Sequence, residues 1–225
     1  MSLQLAPEEP EAGPWRAEPL SQVIEILTRP RTGVTTGDHP VVLAVDGRSS
    51  SGKTTLAARM HAEAPGSAVV HTDDIAWYHS RFGWADLLVD GILTPARGGG
   101  AVEFQPPRWT EHGRAGSINV PVGCRLLIIE GVGAGRRETA HLMDALVWVQ
   151  SDQSEARRRS LARVGQPGGP DNIDDLRAWM AEEDPFLADE RPWERADLIA
   201  AGTPQIPFDA ATELVVASGP ATPRA

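Results

Sequence analysis

The stretch Gly47-Arg48-Ser49-Ser50-Ser51-Gly52-Lys53-Thr54 matches the pattern G-x-x-x-x-G-K-[ST], the Walker A phosphate loop, and contains the single lysine of the chain. The apolar, β-branched run at 40–46 before it predicts a buried strand, and residues 55–61 after it predict a helix. Strand, loop and helix are the context that this motif requires. Both flanks therefore favour a phosphate site over a chance match in a turn rich in glycine and serine.

The residue types of this loop suit the phosphates of a nucleoside triphosphate. Backbone N–H groups and the following helix N-terminus can surround phosphate oxygens, while Gly47 and Gly52 let the backbone turn tightly. The Lys53 ammonium can reach the β and γ oxygens, and the Thr54 hydroxyl can ligate Mg²⁺. We therefore expect the nucleotide to be bound by Gly47, Arg48, Ser49, Ser50, Ser51, Gly52, Lys53, Thr54 and Thr55.

Composition limits the class of protein. The 225 residues, 41% of them hydrophobic, predict one domain with an inserted segment. A formal charge of −10 argues against a nucleic-acid partner, which calls for a basic face. The lone Cys124 excludes an internal disulfide framework. The sequence shows neither a signal-peptide pattern nor an apolar run long enough to span a membrane. We therefore expect a cytoplasmic protein without a membrane partner, and its oligomeric state stays open.

Apolar runs alternate with charged, helix-like segments along most of the chain. Strands are predicted at residues 40–46, 68–71, 125–130, 145–149 and 196–200, with an edge strand at 213–217. This alternation predicts a single α/β domain over residues 20–218 with a parallel sheet. Within it, the segment 76–122, rich in glycine and proline, is interpreted as an excursion from the core and 153–172 as a lid. Residues 1–19, rich in Pro, Glu and Ala, are predicted to be a disordered tail, and 219–225 a second tail.

Three acidic residues follow predicted strands, at the sheet edge where open α/β folds bind ligands. Asp73 and Asp74 come after the second strand, where a carboxylate can accept a proton from a hydroxyl, hold Mg²⁺, or simply cap the next helix. Glu130 ends the most apolar strand, where a charge is costly unless it is paired or metal-bound. It is a candidate Mg²⁺ ligand, and a buried structural salt bridge is the alternative.

Arginines and aromatic residues supply two further candidate groups. The helix predicted at 152–164 carries four arginines, of which Arg159 and Arg163 share a face and could bind phosphate oxygens. A solvated charged face, with Glu155 pairing to Arg159, is the alternative. Half of the twelve Phe, Trp and Tyr residues lie between positions 77 and 109. They could stack on the ring of a bound molecule or form a small core of their own.

With these residues in place, the chain resembles the uridine kinase and phosphoribulokinase-like branch of the P-loop kinases. The match rests on residues 45–55, on the Asp73-Asp74 segment, and on Leu127-Ile128-Ile129-Glu130-Gly131. The resemblance implies a three-layer P-loop NTPase sandwich with a parallel five-stranded core sheet, a lid helix and an acceptor-binding excursion. It also implies ATP and Mg²⁺ as cofactors, with Asp73 as catalytic base and with Thr54, Asp73 and Glu130 around the metal.

The activity that this resemblance implies is transfer of the γ-phosphoryl group of ATP to an alcohol group, first of all that of a nucleoside. The expected catalytic residues are Asp73, Lys53, Arg159 and Arg163. The acceptor is expected to contact Asp73, Asp74, Trp77, Tyr78, Trp109 and Arg114. Because the excursion and the stretch 181–186 depart from the family pattern, an amino sugar, a sugar alcohol or a nucleoside monophosphate are alternative acceptors. A nucleotide switch or ATPase without a small acceptor is the alternative from another class.

Overall fold

The computed structural model describes residues 3–29 and 39–220, and its centre is a seven-stranded sheet. The strands in chain order are β1 (Arg16–Pro19), β2 (Val41–Asp46), β3 (Ser67–His71), β4 (Val102–Phe104), β5 (Ile118–Val120), β6 (Leu126–Glu130), β7 (Ala145–Gln150), β8 (Leu198–Ala201) and β9 (Glu213–Ser218). The order across the central sheet is β1-β9-β8-β7-β2-β6-β3, while β4 and β5 form a separate antiparallel pair. The phosphate-loop strand β2 therefore lies inside the sheet, between β7 and β6.

Five strands of the central sheet, from β8 to β3, run parallel. This confirms the predicted five-stranded parallel core and the α/β fold class. The predicted edge strand forms as β9, antiparallel to β8, and β1 adds a further antiparallel strand outside it. All five parallel strands point their carboxyl ends to one edge of the sheet, which is where ligands bind in this class of fold.

Helices cover both faces of the sheet. The α-helices are α1 (Leu20–Thr28), α2 (Lys53–Glu63), α3 (Thr72–Ala76), α4 (Ala85–Leu88), α5 (Thr94–Arg97), α6 (Pro107–Glu111), α7 (Gln153–Ala162) and α8 (Ile173–Glu190). A π-helical turn (Val89–Leu93) joins α4 to α5, and 3₁₀ turns span Arg137–Leu142 and Pro192–Arg195.

The central strands are apolar at successive positions because each face packs against its own helices. On one face, Leu43 and Val45 of β2 join a cluster with buried residues of α1 and α2. On the other face, Val42 and Ala44 join a cluster that includes Trp148, the excursion and the end of α8. The result is the three-layer arrangement that the resemblance implies.

The predicted disordered tail is wrong for residues 3–19. The first strand pairs with β9, and the Glu9 carboxylate is buried, where it accepts hydrogen bonds from Trp148 Nε1 at 2.7 Å and Gln150 Nε2 at 3.0 Å. A composition rich in Pro, Glu and Ala indicates disorder when a segment can bury too little apolar surface. This segment instead pairs with the edge of β9 and gives its Glu9 carboxylate two buried donors of β7. The other predicted tail, 219–225, falls mostly outside the described residues.

The excursion at 76–122 belongs to the core, which corrects its interpretation as a segment apart from it. Its helices and the β4–β5 pair contribute Trp84, Leu88, Ile92 and Trp109 to the same buried cluster as the sheet residues. The glycines and prolines lie at turns between these short elements, so their frequency reflects many chain reversals rather than an unpacked segment. Across the described residues, no helix is both long and apolar enough to cross a membrane.

Candidate active site

The phosphate loop connects the carboxyl end of β2 to α2, as its sequence predicts. Two of its residues have left-handed backbone conformations: Gly52 at φ 107° and Ser50 at φ 59°. The Gly52 conformation is one that glycine adopts readily and other residues rarely do. The loop and the first turn of α2 together line one cavity, through Ser49, Ser50, Gly52, Lys53, Thr54 and Thr55.

The amides of this loop are poised for an anion. Within the described residues, the backbone N–H has no hydrogen-bond acceptor at Ser50, Gly52, Lys53, Thr54 and Thr55. N–H groups at a helix N-terminus carry partial positive charge, and a row of them without acceptors is the arrangement that binds phosphate.

The Lys53 side chain adds a full positive charge to these amides. It is 8% exposed, and its Nζ has only a long contact of 3.4 Å to the Arg48 carbonyl oxygen. No carboxylate among the described residues lies within 4.0 Å of this ammonium. Burial of an unpaired charge costs folding free energy, and a negatively charged ligand at this ammonium would offset that cost.

Glu130 lies at the end of β6, beside the loop. Thr54 Oγ1 donates to Glu130 Oε1 at 3.1 Å, and His71 Nδ1 lies 2.6 Å from Glu130 Oε2. Burial acts to raise the pKa of Glu130, but the His71 hydrogen bond and the Lys53 charge outweigh it, so the pKa is lowered. The same hydrogen bond raises the pKa of His71. Gly131 follows with φ 147°, where a Cβ would lie 1.8 Å from Thr72 Oγ1, so a side chain there is excluded.

These residues fit a magnesium ion. The Thr54 hydroxyl and the Glu130 carboxylate are hard oxygen donors close enough to share one ion. The described residues contain no group of three His, Cys, Asp or Glu side chains that could hold a metal by themselves. Mg²⁺ in nucleotide sites needs no such group, because one or two carboxylates and the substrate phosphates hold it.

Asp73 and Asp74 are neighbours in the chain and differ in their surroundings. Asp73 opens onto the cavity that contains the loop. Burial raises the pKa of Asp73, and the Lys53 charge opposes that rise. The Asp74 carboxylate accepts a hydrogen bond from Arg114 at 2.5 Å instead. Asp73 is therefore the carboxylate that is free to meet a bound molecule.

The cavity measures about 910 Å³ and extends from the loop to α7 and α8. Its wall has an excess of positive charge although the whole chain is acidic, which suits a polyphosphate. The charged residues of the wall are Lys53, Arg81, Arg158, Arg159 and Arg163 against Asp73 and Asp175.

The two predicted lid arginines both line this cavity. Arg159 Nε pairs with Glu155 at 2.9 Å, and its Nη1 donates to the Gly202 carbonyl at 3.0 Å. Arg163 donates to the Gly168 carbonyl. The predicted Glu155–Arg159 pair therefore forms, and it holds Arg159 at the cavity wall rather than removing it.

Of the six residues predicted to contact the acceptor, only Asp73 lines this cavity, and the other five do not: Asp74, Trp77, Tyr78, Trp109 and Arg114. Trp109 is buried, and its Nε1 donates to the Asp74 carbonyl at 2.8 Å. The Arg114 guanidinium lies 3.6 Å from the centre of the Trp109 ring. Tyr78 stacks on His112 at 4.1 Å. These aromatics mostly pack against one another, which is the alternative that their sequence left open.

Sequence reasoning missed several residues of the wall: Arg81, Val132, Asp175, Leu176 and Trp179. It also missed Asp46, which is fully buried at the end of β2 and accepts hydrogen bonds from the N–H groups of Gly47, Gly133 and Gly135. Burial raises the pKa of Asp46 to about 6 although these three donors lower it. An acid directly before a phosphate loop was a signal that could have identified it.

Comparison with known proteins gives similarity in structure only. No protein-family model matches the chain, and neither does any curated protein. The "Possible Uridine Kinase" from Bacillus stearothermophilus is 19% identical, with a TM-score of 0.49 over 80% of this chain and 96% of that one. A candidate fructose transport system kinase from Silicibacter sp. TM1040 is 19% identical, with a TM-score of 0.47 over 77% and 92% of the two chains. The YGR205w protein is 11% identical, with a TM-score of 0.48 over 73% and 85%. Similarity at this level carries no information about activity or substrate.

Proposed function

We propose that this chain is a Mg²⁺- and ATP-dependent kinase that transfers the γ-phosphoryl group to a hydroxyl of a small molecule, with a nucleoside as the first candidate acceptor. The observation that carries the proposal is the buried Lys53 ammonium, which has no carboxylate partner among the described residues. It faces a cavity that also holds Asp73, a carboxylate open to a bound acceptor.

The phosphate side of the reaction is supported by charge. Loop amides without acceptors and Lys53 would bind the β and γ phosphates and stabilise the negative charge that develops on the transferring group. These donors are fixed before the nucleotide arrives, so little reorganisation opposes the reaction.

Magnesium would be held by the Thr54 hydroxyl and the Glu130 carboxylate, and by Asp73 of the same cavity directly or through water. When bound, the ion supplies positive charge to the phosphate oxygens. His71 keeps the second oxygen of Glu130 engaged and so fixes the direction in which the first oxygen points.

The acceptor side depends on Asp73. A carboxylate there can accept the proton of the attacking hydroxyl, and its raised pKa moves it towards the working range of a general base. Arg159 and Arg163 line the same cavity, where closure of the lid would bring positive charge to the phosphates and exclude water.

An aromatic side chain in the cavity wall supports a nucleoside or a sugar as the acceptor. Trp179 lines the cavity, and its Nε1 donates to Ser49 Oγ at 2.7 Å, so the indole orientation is fixed. A fixed aromatic face in a polar cavity can stack on a base or a sugar ring. Asp74 and Arg114 are bonded to each other, so a second anion site for a monophosphate acceptor has less support.

The test is ADP release from Mg²⁺·ATP in the presence of nucleosides, nucleoside monophosphates, amino sugars and sugar alcohols. We expect strong stimulation by one compound class, nucleosides first, and loss of ADP release when Mg²⁺ is removed with a chelator. A protein that binds ATP but gives the same slow ADP release with every compound would favour the switch or ATPase alternative. A protein that binds no ATP would contradict the proposal altogether.

A further inference from the structure

The middle of α8, from Trp179 to Asp184, contacts the phosphate loop. Trp179 Nε1 donates to Ser49 Oγ at 2.7 Å, and Glu183 Oε1 accepts the backbone N–H of Ser49 at 2.6 Å. The next residue, Asp184, lies 3.5 Å from Arg48 Nη1. We call Trp179, Glu183 and Asp184, with the Arg48 and Ser49 groups that they contact, the clasp.

Burial shows that the clasp is more than a surface contact. Glu183 is 3% exposed and Arg48 is 5% exposed. A buried carboxylate is costly unless hydrogen bonds satisfy it, and here a loop amide does so. Asp184 also lies 3.6 Å from Arg157 of α7, so this one carboxylate reaches both the phosphate loop and the lid helix.

One amide of the loop bonds to the clasp, and most of the amides after it are available to phosphate. An N–H group makes one strong hydrogen bond, so the Ser49 amide bonded to Glu183 is not available to a phosphate. From Ser50 to Thr55, every amide except that of Ser51 lacks an acceptor among the described residues. Glu183 therefore fixes the backbone immediately before the phosphate-binding amides.

The first turn of α8 belongs to the cavity wall, because Asp175 and Leu176 line the cavity. The segment between α7 and α8, residues 163–172, includes Arg163 and the wall residues Gly168, Gly169 and Pro170. A lid closing over the phosphates would therefore move relative to a helix whose middle is fixed on the loop by Trp179 and Glu183.

We propose that Glu183 and Trp179 are positioning residues for the nucleotide: they hold the phosphate loop in its binding shape and anchor the lid to it. The inference rests on the proposed function. A loop ordered before binding loses less freedom when the ligand arrives, so the hydrogen bonds of Glu183 and Trp179 Nε1 contribute to nucleotide affinity. The ring of Trp179 lines the cavity and can contact the acceptor as well.

The test is calorimetric titration of the full chain with Mg²⁺·ADP, together with the KM values for ATP and acceptor. We expect Glu183→Ala to weaken Mg²⁺·ADP binding by about tenfold, since a charge-assisted hydrogen bond and the order it gives are lost. Glu183→Gln keeps an oxygen acceptor for Ser49 and should stay within about threefold of the wild type. Trp179→Phe, which keeps the ring and loses the donor, should weaken binding by about threefold. The acceptor KM should not change in the Glu183 variants.

Two variants of the same helix serve as controls. Leu187→Val removes one methylene from a buried side chain and destabilises α8 without touching the loop. Asp189→Asn changes an exposed acid that pairs only with Arg137 in the described residues. Both should bind Mg²⁺·ADP as the wild type does.

Three results would overturn the inference. These are unchanged binding in both Glu183→Ala and Trp179→Phe, tighter binding in Glu183→Gln, and an equal loss in Leu187→Val. Tighter binding would mean that the carboxylate competes with phosphate. If Glu183→Ala does not fold, Glu183→Gln and Trp179→Phe still decide the matter. A wild type that binds no Mg²⁺·ADP would instead contradict the proposed function.

Discussion

The phosphate side of the site and the excursion use polar groups in opposite ways. At the phosphate loop, the Lys53 ammonium has no carboxylate partner and five backbone N–H groups have no acceptor within the part of the chain that the structure describes. In the excursion, polar groups satisfy one another: Asp74 pairs with Arg114, and Trp109 Nε1 donates to the Asp74 carbonyl. The sequence predicts ligand contacts in both regions. Only the phosphate loop, however, has a buried charge whose cost a bound ligand would offset.

This difference shows that buried polar groups without hydrogen-bond partners indicate a ligand site better than the presence of aromatic or arginine side chains does. Aromatic and arginine side chains are common in binding sites, and they are equally able to bond to each other. A buried ammonium without a carboxylate lowers the stability of the free protein and persists where a ligand compensates for it.

The largest effect is expected on the phosphate side. Lys53→Ala should reduce turnover by at least about 10²–10³-fold, because a preorganised donor to the transferring group is lost. The unfolding free energy should not fall by more than about 1 kcal/mol, since no ion pair is broken. Steady-state kinetics and chemical denaturation measure the two quantities. Arg177→Ala, which removes an exposed arginine of α8, is the control, and near-normal turnover in Lys53→Ala would contradict the account.

The opposite pattern is expected in the excursion. Trp109→Ala should reduce the unfolding free energy by about 3–5 kcal/mol, because a buried indole and its hydrogen bond are lost. Tyr78→Ala, at a residue 63% exposed, should cost less than about 1 kcal/mol. Wild-type stability of Trp109→Ala together with a raised acceptor KM would contradict the packing role and show that Trp109 contacts the acceptor.

A smaller effect is expected from Asp46, through pH. Its pKa is about 6 in the folded protein against an ordinary 3.8, so the folded state prefers the protonated form. Asp46 therefore favours folding below about pH 4, and this contribution is lost as pH rises to about 6, by at most about 3 kcal/mol. Asp46→Asn should lack that part of the pH dependence, although it loses stability at every pH because an amide cannot accept all three N–H bonds.

Denaturation of both proteins between pH 4 and pH 7 measures this difference. Other carboxylates contribute equally to the two proteins and cancel. The stability of the wild type relative to Asp46→Asn should decrease as pH rises. A difference that stays constant with pH would show that Asp46 titrates normally.

The sequence predicted the parts of the molecule that are local along the chain. The phosphate loop and its two flanks are consecutive residues, and the five parallel strands are short apolar runs. Asp73 and Glu130 could be found because strand ends converge at one edge of a parallel sheet.

The parts that sequence reasoning missed depend on contacts between distant residues. Trp179 and Ser49 are 130 positions apart, and Glu9 and Trp148 are 139 apart. Neither contact leaves a local pattern, so the clasp went unrecognised and the N-terminal segment was predicted to be disordered. The aromatic residues of the excursion have a composition that fits a site or a core equally well, and only packing separates the two.

The central claim is tested most directly by Asp73 and Asp74, two adjacent carboxylates of which the first lines the cavity and the second pairs with Arg114. The measurement is transfer of the γ-phosphoryl group from radiolabelled ATP to the acceptor that most stimulates ADP release. Asp73→Asn should slow transfer by about 10²–10⁴-fold with ATP still bound, as expected for loss of a positioned base. Asp74→Asn should slow it by less than about tenfold, because that side chain bonds to Arg114. A larger loss in Asp74→Asn, or full activity in Asp73→Asn, would contradict the account.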